Sequence, residues 1–366
     1  MRFVQKDRIA RISRCTRRVL LAVAILTGAL YGAALSLARP VAAQNRASPP
    51  TAWTVTIILP PKLMAGHPAT LAVLGVDGKL AAGVKVDLSD GQTVTTDRTG
   101  RAVFSVASTG DYLLARGSGA SAAALIDPAV AASEPKTITL PSILSTQDRF
   151  WICGAGLGGE ADANEVRING QPALVMAASP ICLVALPGPN AKPGPASISV
   201  EAPGVHWNAT TTLVSLEFEP PRPALKPGQT GQLTVHAQGA AQKMRIVVQN
   251  QTPEVLKFVR GDAEEPVTSG GSENLAVVKV QAIASGDFSF SARLLPQTDT
   301  VSAARYLRAA ESVARKEEQH ELSILADRLT RHPRESQMVR AQLRAIATNT
   351  MAGDLRTLLD AARNAL

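Results

Sequence analysis

The chain has 366 residues and a formal net charge of +8, with 38 lysines and arginines against 30 aspartates and glutamates. Eight of the basic residues and one of the acidic residues fall within residues 1–43, which leaves 30 basic against 29 acidic side chains in the rest. A nearly neutral chain lacks the positive surface that binds phosphate backbones, which excludes nucleic acid as a partner. Residues 44–366 are too many for one ordinary domain and predict several.

The N-terminal segment, residues 1–43, has the parts of an export signal. Seven basic residues between Arg2 and Arg18 precede an uncharged, largely apolar stretch over residues 19–38. Small residues then lead to a predicted cleavage site between Ala43 and Gln44. If the segment is retained, its apolar stretch is long enough to anchor the protein in a membrane. We therefore expect an exported protein, in the periplasm or at the cell surface.

Cysteine usage agrees with an oxidising compartment. Of three cysteines, Cys15 lies in the export segment, which leaves Cys153 and Cys182. An even pair in an exported protein favours a disulfide, and both residues lie in apolar runs that can pair as neighbouring strands. Closing this loop of about 30 residues stabilises the fold by roughly 3.5 kcal/mol on the chain-entropy model. Two buried free thiols are the alternative.

Short strand-like segments recur between residues 53 and 127, each bounded by Gly, Pro, Asn or Asp. Val84, Val86 and Leu88 alternate with polar residues and share one face of a strand, as in a β-sandwich. The turns carry a recurrent set of residues: Asp77-Gly78-Lys79, Gly83 to Val86, Thr96-Asp97 with Gly100-Arg101-Ala102, and Gly110-Asp111-Tyr112. The segment resembles the bacterial Ig-like or carboxypeptidase-regulatory-like modules of secreted proteins. The resemblance implies a non-catalytic sandwich used as a spacer or binding unit.

A second β segment covers residues 137–218. An apolar strand from Phe150 ends in a glycine-rich turn at Gly158 and precedes a hairpin, Val166 to Gly170. This order is similar to the IPT/TIG family of Ig-like domains, which implies a second sandwich. The cysteine pair is not part of the family pattern.

A third β segment covers residues 219–296 and opens on a stiff, proline-rich linker, Pro220 to Pro223. Phe288, Phe290 and Ala292 alternate on one face and predict a half-buried terminal strand. We expect a third Ig-like sandwich here.

From residue 297 the apolar period changes from two to about 3.6, which predicts a helical tail over residues 297–366. Ser302 is placed to cap a helix that runs to about Arg331, and Pro333 begins the next. Glu318 lies on the apolar stripe, so the helix is either partly exposed there or meets a basic partner. The helices could pack on one another, dock on the last sandwich, or pair with another chain.

Two motifs suggest ligand binding at first sight. Glycines in residues 154–159 have the spacing of a dinucleotide fingerprint, but a strand follows instead of a helix, which favours a structural turn. Glu160, Asp162 and Asn164 alternate as in a calcium loop, yet the required glycine and final glutamate are missing. A looser interdomain calcium site and a solvated turn both stay open. Another acidic loop has the same alternatives: Asp262, Glu264 and Glu265.

The catalytic motifs sought in the chain are missing from its sequence. The histidines are dispersed, and neither G-x-S-x-G nor H-E-x-x-H occurs. We therefore predict no catalytic, cofactor-binding or metal-binding residue and no cofactor. The class that follows is a non-catalytic binding or scaffold protein of the bacterial envelope, contacting protein or glycan through sandwich loops or edges.

Two alternatives remain. An accessory subunit of an envelope complex would dock through residues 297–366, and removing them would release the partner and leave the sandwiches folded. A carbohydrate-active or other hydrolase would need two convergent acids in a loop-built cleft.

Overall fold

The computed structural model describes residues 55–129, 138–222, 224–239, 243–259, 264–270, 274–295, 298–351 and 353–366. Residues 1–43, the predicted export signal with its predicted cleavage site at Ala43 and Gln44, lie outside these ranges. Within them, none of the helices combines the length and the apolar character needed to span a bilayer.

The strands follow in this order: β1 Thr56–Ile58, β2 Lys62–Met64, β3 Pro68–Leu74, β4 Lys85–Leu88, β5 Thr93–Thr95, β6 Arg101–Ser105, β7 Tyr112–Gly117, β8 Ala120–Asp127, β9 Ile143–Ser145, β10 Phe150–Cys153, β11 Glu165–Ile168, β12 Gln171–Ser179, β13 Cys182–Leu186, β14 Gly194–Ala202, β15 Val205–Glu219, β16 Thr230–Gln238, β17 Arg245–Asn250, β18 Leu256–Phe258, β19 Glu264–Thr268, β20 Leu275–Ala282 and β21 Phe290–Leu294. The helices come last: α1 Thr300–Val313, α2 Lys316–Arg331, α3 Ser336–Asn349 and α4 Asp354–Ala365. Short 3-10 turns occupy Ala161–Ala163 and Pro333–Glu335.

The first sandwich consists of β1 to β8. One layer contains β1, β3 and β6, and the other has the order β2-β8-β7-β4-β5. The alternation predicted for β4 is present, since Val86 and Leu88 are buried and Lys85 and Asp87 are exposed. The two layers enclose an apolar core: Leu63, Leu71, Val86, Phe104, Leu113 and Ile126.

The second sandwich contains β9 to β14 and the first part of β15. Cys153 on β10 and Cys182 on β13 lie directly opposite one another in an antiparallel pair. Their Cα atoms are 4.1 Å apart, and the predicted disulfide is present. It ties two neighbouring strands beside a core that includes Ile152, Ile168, Leu183 and Ile198.

The third sandwich shares a strand with the second. Residues 205–213 of β15 pair with β14, and residues 215–219 pair with β16. The sheet continues through β20 to β18 and faces a second layer, β19-β17-β21. Phe218, Phe258 and Phe290 lie in the core, with Phe290 5.8 Å from Phe258 between ring centroids. The predicted division at residues 218 and 219 therefore falls at the end of a strand that belongs to both sandwiches.

The single helix predicted from Ser302 to Arg331 is wrong, because two helices occupy that range. Ala314 has an extended backbone, with ψ 160°, and reverses the chain between α1 and α2. The reversal packs Leu307 of α1 and Leu325 of α2 into one core. Neither glycine nor proline stands at the break, so the sequence has no local signal for it.

The caps also differ from the prediction. Asp299, not Ser302, caps α1, and its carboxylate accepts hydrogen bonds from the Ser302 amide at 2.9 Å and hydroxyl at 2.6 Å. The carboxylate of Glu318 accepts the main-chain N–H of Arg315 at 3.2 Å. Glu318, a polar residue on the apolar stripe, thus accepts a hydrogen bond at the start of α2, where main-chain N–H groups lack a partner within the helix.

The predicted fold class is confirmed: the chain is mainly β, with tandem Ig-like sandwiches followed by a C-terminal helical segment. We call helices α1 to α4 the helical module.

Candidate functional site at the helix–sandwich interface

The helical module folds back on the first sandwich. Leu114 of β7 and Leu125 of β8 belong to the same apolar core as the helices, with exposed fractions of 2% and 1%. Their neighbours Leu113 and Ala124 point the other way, into the first sandwich core. This sheet is therefore covered on both faces, by the opposite layer and by the helices.

Helix α1 contacts the end of β8 and the loop before β2. The hydroxyl of Tyr306, a buried residue, donates to the Pro61 carbonyl oxygen at 3.1 Å. Arg305 pairs with the Asp127 carboxylate and also donates to the Ile126 carbonyl oxygen at 2.8 Å. Burial raises the pKa of Tyr306, so the phenol stays protonated and able to donate.

The cap of α1 is also part of this contact. The ammonium group of Lys62, on β2, lies 3.5 Å from the Asp299 carboxylate. Burial raises the pKa of Asp299, but the hydrogen bonds from Ser302 and the charge of Lys62 outweigh it and hold the pKa below its ordinary value. The ionised carboxylate is therefore the form that the folded protein favours.

Helix α4 makes the next contact with the first sandwich. Arg116 on β7 donates two hydrogen bonds to the Asp354 carboxylate, at 2.7 and 2.5 Å. The hydroxyl oxygens of Ser121 and Thr357 share a hydrogen bond of 2.6 Å. These polar contacts fix the register in which the helix lies on the sheet.

The opposite side of the helical module contacts the third sandwich. Arg293 donates to the Asn364 amide oxygen at 3.1 Å, and Arg363 lies 3.4 Å from the Glu264 carboxylate. Burial raises the pKa of Glu264, but the charge of Arg363 and a hydrogen bond from Gln249 outweigh it and lower the pKa. The module is thus held between the first sandwich and the third.

This arrangement answers the question left open for residues 297–366. The helices form one bundle and also dock on two sandwiches of their own chain. Because removal would expose Leu114 and Leu125 to water, we expect a chain that lacks these helices to have a less stable first sandwich. Sequence contained a signal for this contact: each of β7 and β8 has consecutive apolar residues, as in strands covered on both faces.

The first and second sandwiches also join directly. β3 pairs with β12 at Thr70 and Ala178, and the Thr70 hydroxyl donates to the Gly159 carbonyl oxygen at 2.9 Å. A Cβ at Gly159 would overlap the Pro68 carbonyl oxygen. The glycine-rich run is therefore a structural turn, as predicted, and its glycine permits close approach of two domains.

The acidic loop after this turn is part of the same junction. Asp162 pairs with Arg101 of the first sandwich at 2.5 Å, and the Asn164 side chain bonds both the amide and the carbonyl of Gly158. No group of three or more potential metal-binding side chains occurs within the described ranges. Asp262 lies outside them, and Glu264 contacts the helical module.

Two cavities lie on or near the third sandwich. A depression of about 660 Å³ lies beside the loop after β15, lined by Arg222, Leu225, Gln229 and Gln232 among others. A small, mainly apolar cavity of about 10 Å³ lies near Phe218. The linings of these two cavities include no carboxylate, histidine or cysteine.

Fold and contacts define the class of this molecule: an Ig-like multidomain protein whose C-terminal helices close the chain back on its first sandwich. No family model matches the sequence, and no curated protein matches it.

Solved structures show distant likenesses. The extracellular region of plexin A4 is 14% identical, with a TM-score of 0.24, over 64% of this chain and 21% of the plexin chain. SGBP-B of the Bacteroides ovatus mixed-linkage glucan utilization locus, solved with a heptasaccharide, is 11% identical, with a TM-score of 0.27, over 64% of this chain and 74% of its own. Titin domains A168–A170 are 13% identical, with a TM-score of 0.19, over 67% of this chain and 91% of the titin chain. The present chain spans about a fifth of the plexin chain. At these TM-scores the fold assignment rests on the sheets and cores described above.

Proposed function

We propose that this chain is a non-catalytic, exported binding and scaffolding protein of the bacterial envelope, and that its partner is a protein. The observation that carries the proposal is the helical module, which joins the first sandwich to the third. Together with the shared strand β15, it holds three sandwiches in one fixed geometry. Fixed spacing between binding surfaces is what a scaffold requires.

A protein partner is favoured over a glycan by the aromatic side chains. Every aromatic residue within the described ranges is buried or half-buried, including Trp151, Trp207 and Tyr112. Sugar rings are commonly held on exposed aromatic faces, and the described surface offers none. The cavities described above support a non-catalytic role, because no pair of carboxylates converges in them.

The edge strand β5 is the site we propose for the partner. It stands at the end of its sheet, paired only with β4. The Thr96 N–H donates to the Val84 carbonyl oxygen, toward the rest of the sheet. Because successive N–H groups of a strand point in opposite directions, the Thr95 N–H points away from the sheet. Threonines 93 and 95 are exposed and uncharged. Strand β18 stands at one end of the 13-stranded sheet and carries an exposed Lys257. An exposed lysine is typical of an edge strand that is protected against pairing with another chain.

A photo-crosslinking amino acid at Thr93 tests this site in envelope extract. We expect a covalent adduct with a protein, and no adduct from the same group at Lys257. Thr95→Pro is the matched variant, because it removes an outward N–H without breaking the pairing to β4. It should abolish the adduct and leave the melting temperature nearly unchanged. An adduct of equal yield at both positions, or retention on purified cell-wall polysaccharide without any protein adduct, would overturn the proposal.

Export is part of the same proposal. We infer that residues 1–43 direct secretion and that cleavage follows Ala43, leaving Gln44 at the new N-terminus. The Cys153–Cys182 disulfide supports an oxidising compartment. We also propose that residues 53–127 belong with the carboxypeptidase-regulatory-like modules and residues 137–218 with the IPT/TIG domains. Mass spectrometry of the protein purified from its envelope fraction reads the N-terminus directly, and an intact Met1 would contradict cleavage.

A further inference from the structure

Arg340 on α3 is a buried arginine without a partner. Its side chain is 9% exposed, and its Nη1 atom lies fully inside the protein with no acceptor. Within the described part of the chain it makes no side-chain hydrogen bond and no ion pair. A buried guanidinium normally has both, because desolvation of an uncompensated charge is strongly unfavourable.

Other arginines surround it. Arg245 and Arg293 of the third sandwich and Arg363 of α4 all act on Arg340 electrostatically. Burial, followed by the charges of these three arginines, lowers the pKa of Arg340 to about 10. Positive charge is therefore concentrated where the third sandwich meets α3 and α4.

The nearby carboxylates do not neutralise this charge. Glu264 and Asp360 lie 3.4 and 3.3 Å from Arg363, so both are engaged by that one arginine. Arg245 donates to the Gln337 amide oxygen at 3.0 Å and to the Leu366 main-chain oxygen at 3.5 Å, and Arg293 donates to the Asn364 amide oxygen at 3.1 Å. Among the described residues, no aspartate or glutamate side chain forms an ion pair with Arg245, Arg293 or Arg340.

Asp148, Arg149 and Arg344 are further charged neighbours of this cluster. The Asp148 Oδ2 atom is buried without a hydrogen-bond partner, and burial raises the pKa of this carboxyl. Arg344 donates to the main-chain oxygen of Glu264.

We propose that Arg245, Arg293 and Arg340 bind one tetrahedral oxyanion of the phosphate or sulfate class, which stabilises the contact between the third sandwich and the helical module. Planar guanidinium groups offer paired N–H donors that match the oxygens of such an anion. Arg245 and Arg293 are half-buried, so solvent reaches part of each side chain, whereas Arg340 is buried.

The test is thermal unfolding of the intact protein in sodium phosphate, sodium sulfate or sodium acetate, from zero to about 20 mM, with ionic strength held constant by sodium chloride. We expect a saturable rise in melting temperature of a few degrees with phosphate or sulfate. Acetate should have little effect. Equal responses to all three salts, or no response to any, would overturn the proposal.

Two variants assign the response to this cluster. Arg340→Met should lose the rise with phosphate and sulfate, while Arg308→Gln, which changes an exposed arginine paired with Asp327, should keep it. If Arg340→Met does not fold, Arg293→Gln replaces it with the same expectation. A full phosphate response in a folded Arg340→Met or Arg293→Gln protein would show that the anion binds elsewhere.

Discussion

Arg116 and Asp354 are separated by 238 positions in the chain, and the guanidinium of one donates two hydrogen bonds to the carboxylate of the other. The contact joins a strand of the first sandwich to the first turn of the last helix. Asp354 also lies at the positive end of the α4 dipole, where a carboxylate is favourable. The pair therefore marks the point at which the chain closes on itself.

The ion pair itself should contribute little to stability. The side chains of Arg116 and Asp354 are 44% and 39% exposed, so solvent screens their attraction. In a double-mutant cycle with Arg116→Gln and Asp354→Asn, we expect a coupling energy of about 1 kcal/mol or less. Denaturant unfolding of the four proteins measures it. A coupling several times larger would mean that the pair is shielded from water.

Apolar burial should dominate the same contact. Leu114→Ala removes a side chain that is 2% exposed between the sheet and the helices, and should cost about 2–5 kcal/mol. Val301→Ala is the control, since Val301 on α1 is 70% exposed and should change stability by less than about 0.5 kcal/mol. Similar losses for the two variants would contradict docking of the helices on this sheet.

The junction of the first and second sandwiches depends on a glycine, which has no side chain to keep the two backbones apart. Gly159→Ala places a Cβ against the Pro68 carbonyl oxygen, and backbone must shift to accommodate it. We expect a loss of about 1–3 kcal/mol and faster proteolysis between the two sandwiches. Gly270→Ala is the matched control, because no atom lies within 4 Å of its added Cβ. An unchanged melting temperature for Gly159→Ala would show that the junction is loose.

The disulfide should stabilise the second sandwich through its loop. Replacing Cys153 and Cys182 by alanine should cost roughly 3.5 kcal/mol on the chain-entropy model, and a reducing agent should have the same effect on the native protein. The double variant should then be insensitive to reductant. If reductant destabilises native and variant proteins equally, the disulfide is not the cause.

Acid should loosen the helical module before it unfolds the sandwiches. The folded pKa values of Asp299 and Glu264 lie below their ordinary values of 3.8 and 4.5. Their contribution is therefore fully present above those ordinary values and is lost as the pH falls through them toward the lowered values. Hydrogen exchange of α1 and α4 measured from pH 6 down to about 3 reports this loss.

The matched variant is Asp299→Asn with Glu264→Gln. It should be less stable at pH 6 and should show a smaller change on acidification. Asp77→Asn, at an exposed aspartate in the turn after β3 whose carboxylate accepts the Lys79 N–H, should behave like the native protein. Acid-induced exchange in α1 that is identical in all three proteins would assign the pH dependence to other groups.

Local pattern was sufficient for the features that depend on near neighbours along the chain. The alternation of Val86 and Leu88 identifies a strand with one buried face, because successive side chains point to opposite sides. The change of the apolar period to about 3.6 after residue 297 identifies helices, because residues three and four positions apart share one helix face. The disulfide between Cys153 and Cys182 is favoured by the even number of cysteines after residue 43, by the expected compartment and by the two apolar runs that can pair as neighbouring strands.

What only the tertiary structure decided is which surfaces meet. Leu114 could have faced water, another chain or another domain, and its partners in α1 and α4 lie far beyond any periodic signal. Ala314 reverses the helical segment without glycine or proline, because packing of Leu307 near Leu325 outweighs local preference. Gly159 required knowledge of Pro68, in a different sandwich. Periodicity reports the buried face of an element, but contact with a distant element depends on shape and charge that form only when the whole chain has folded.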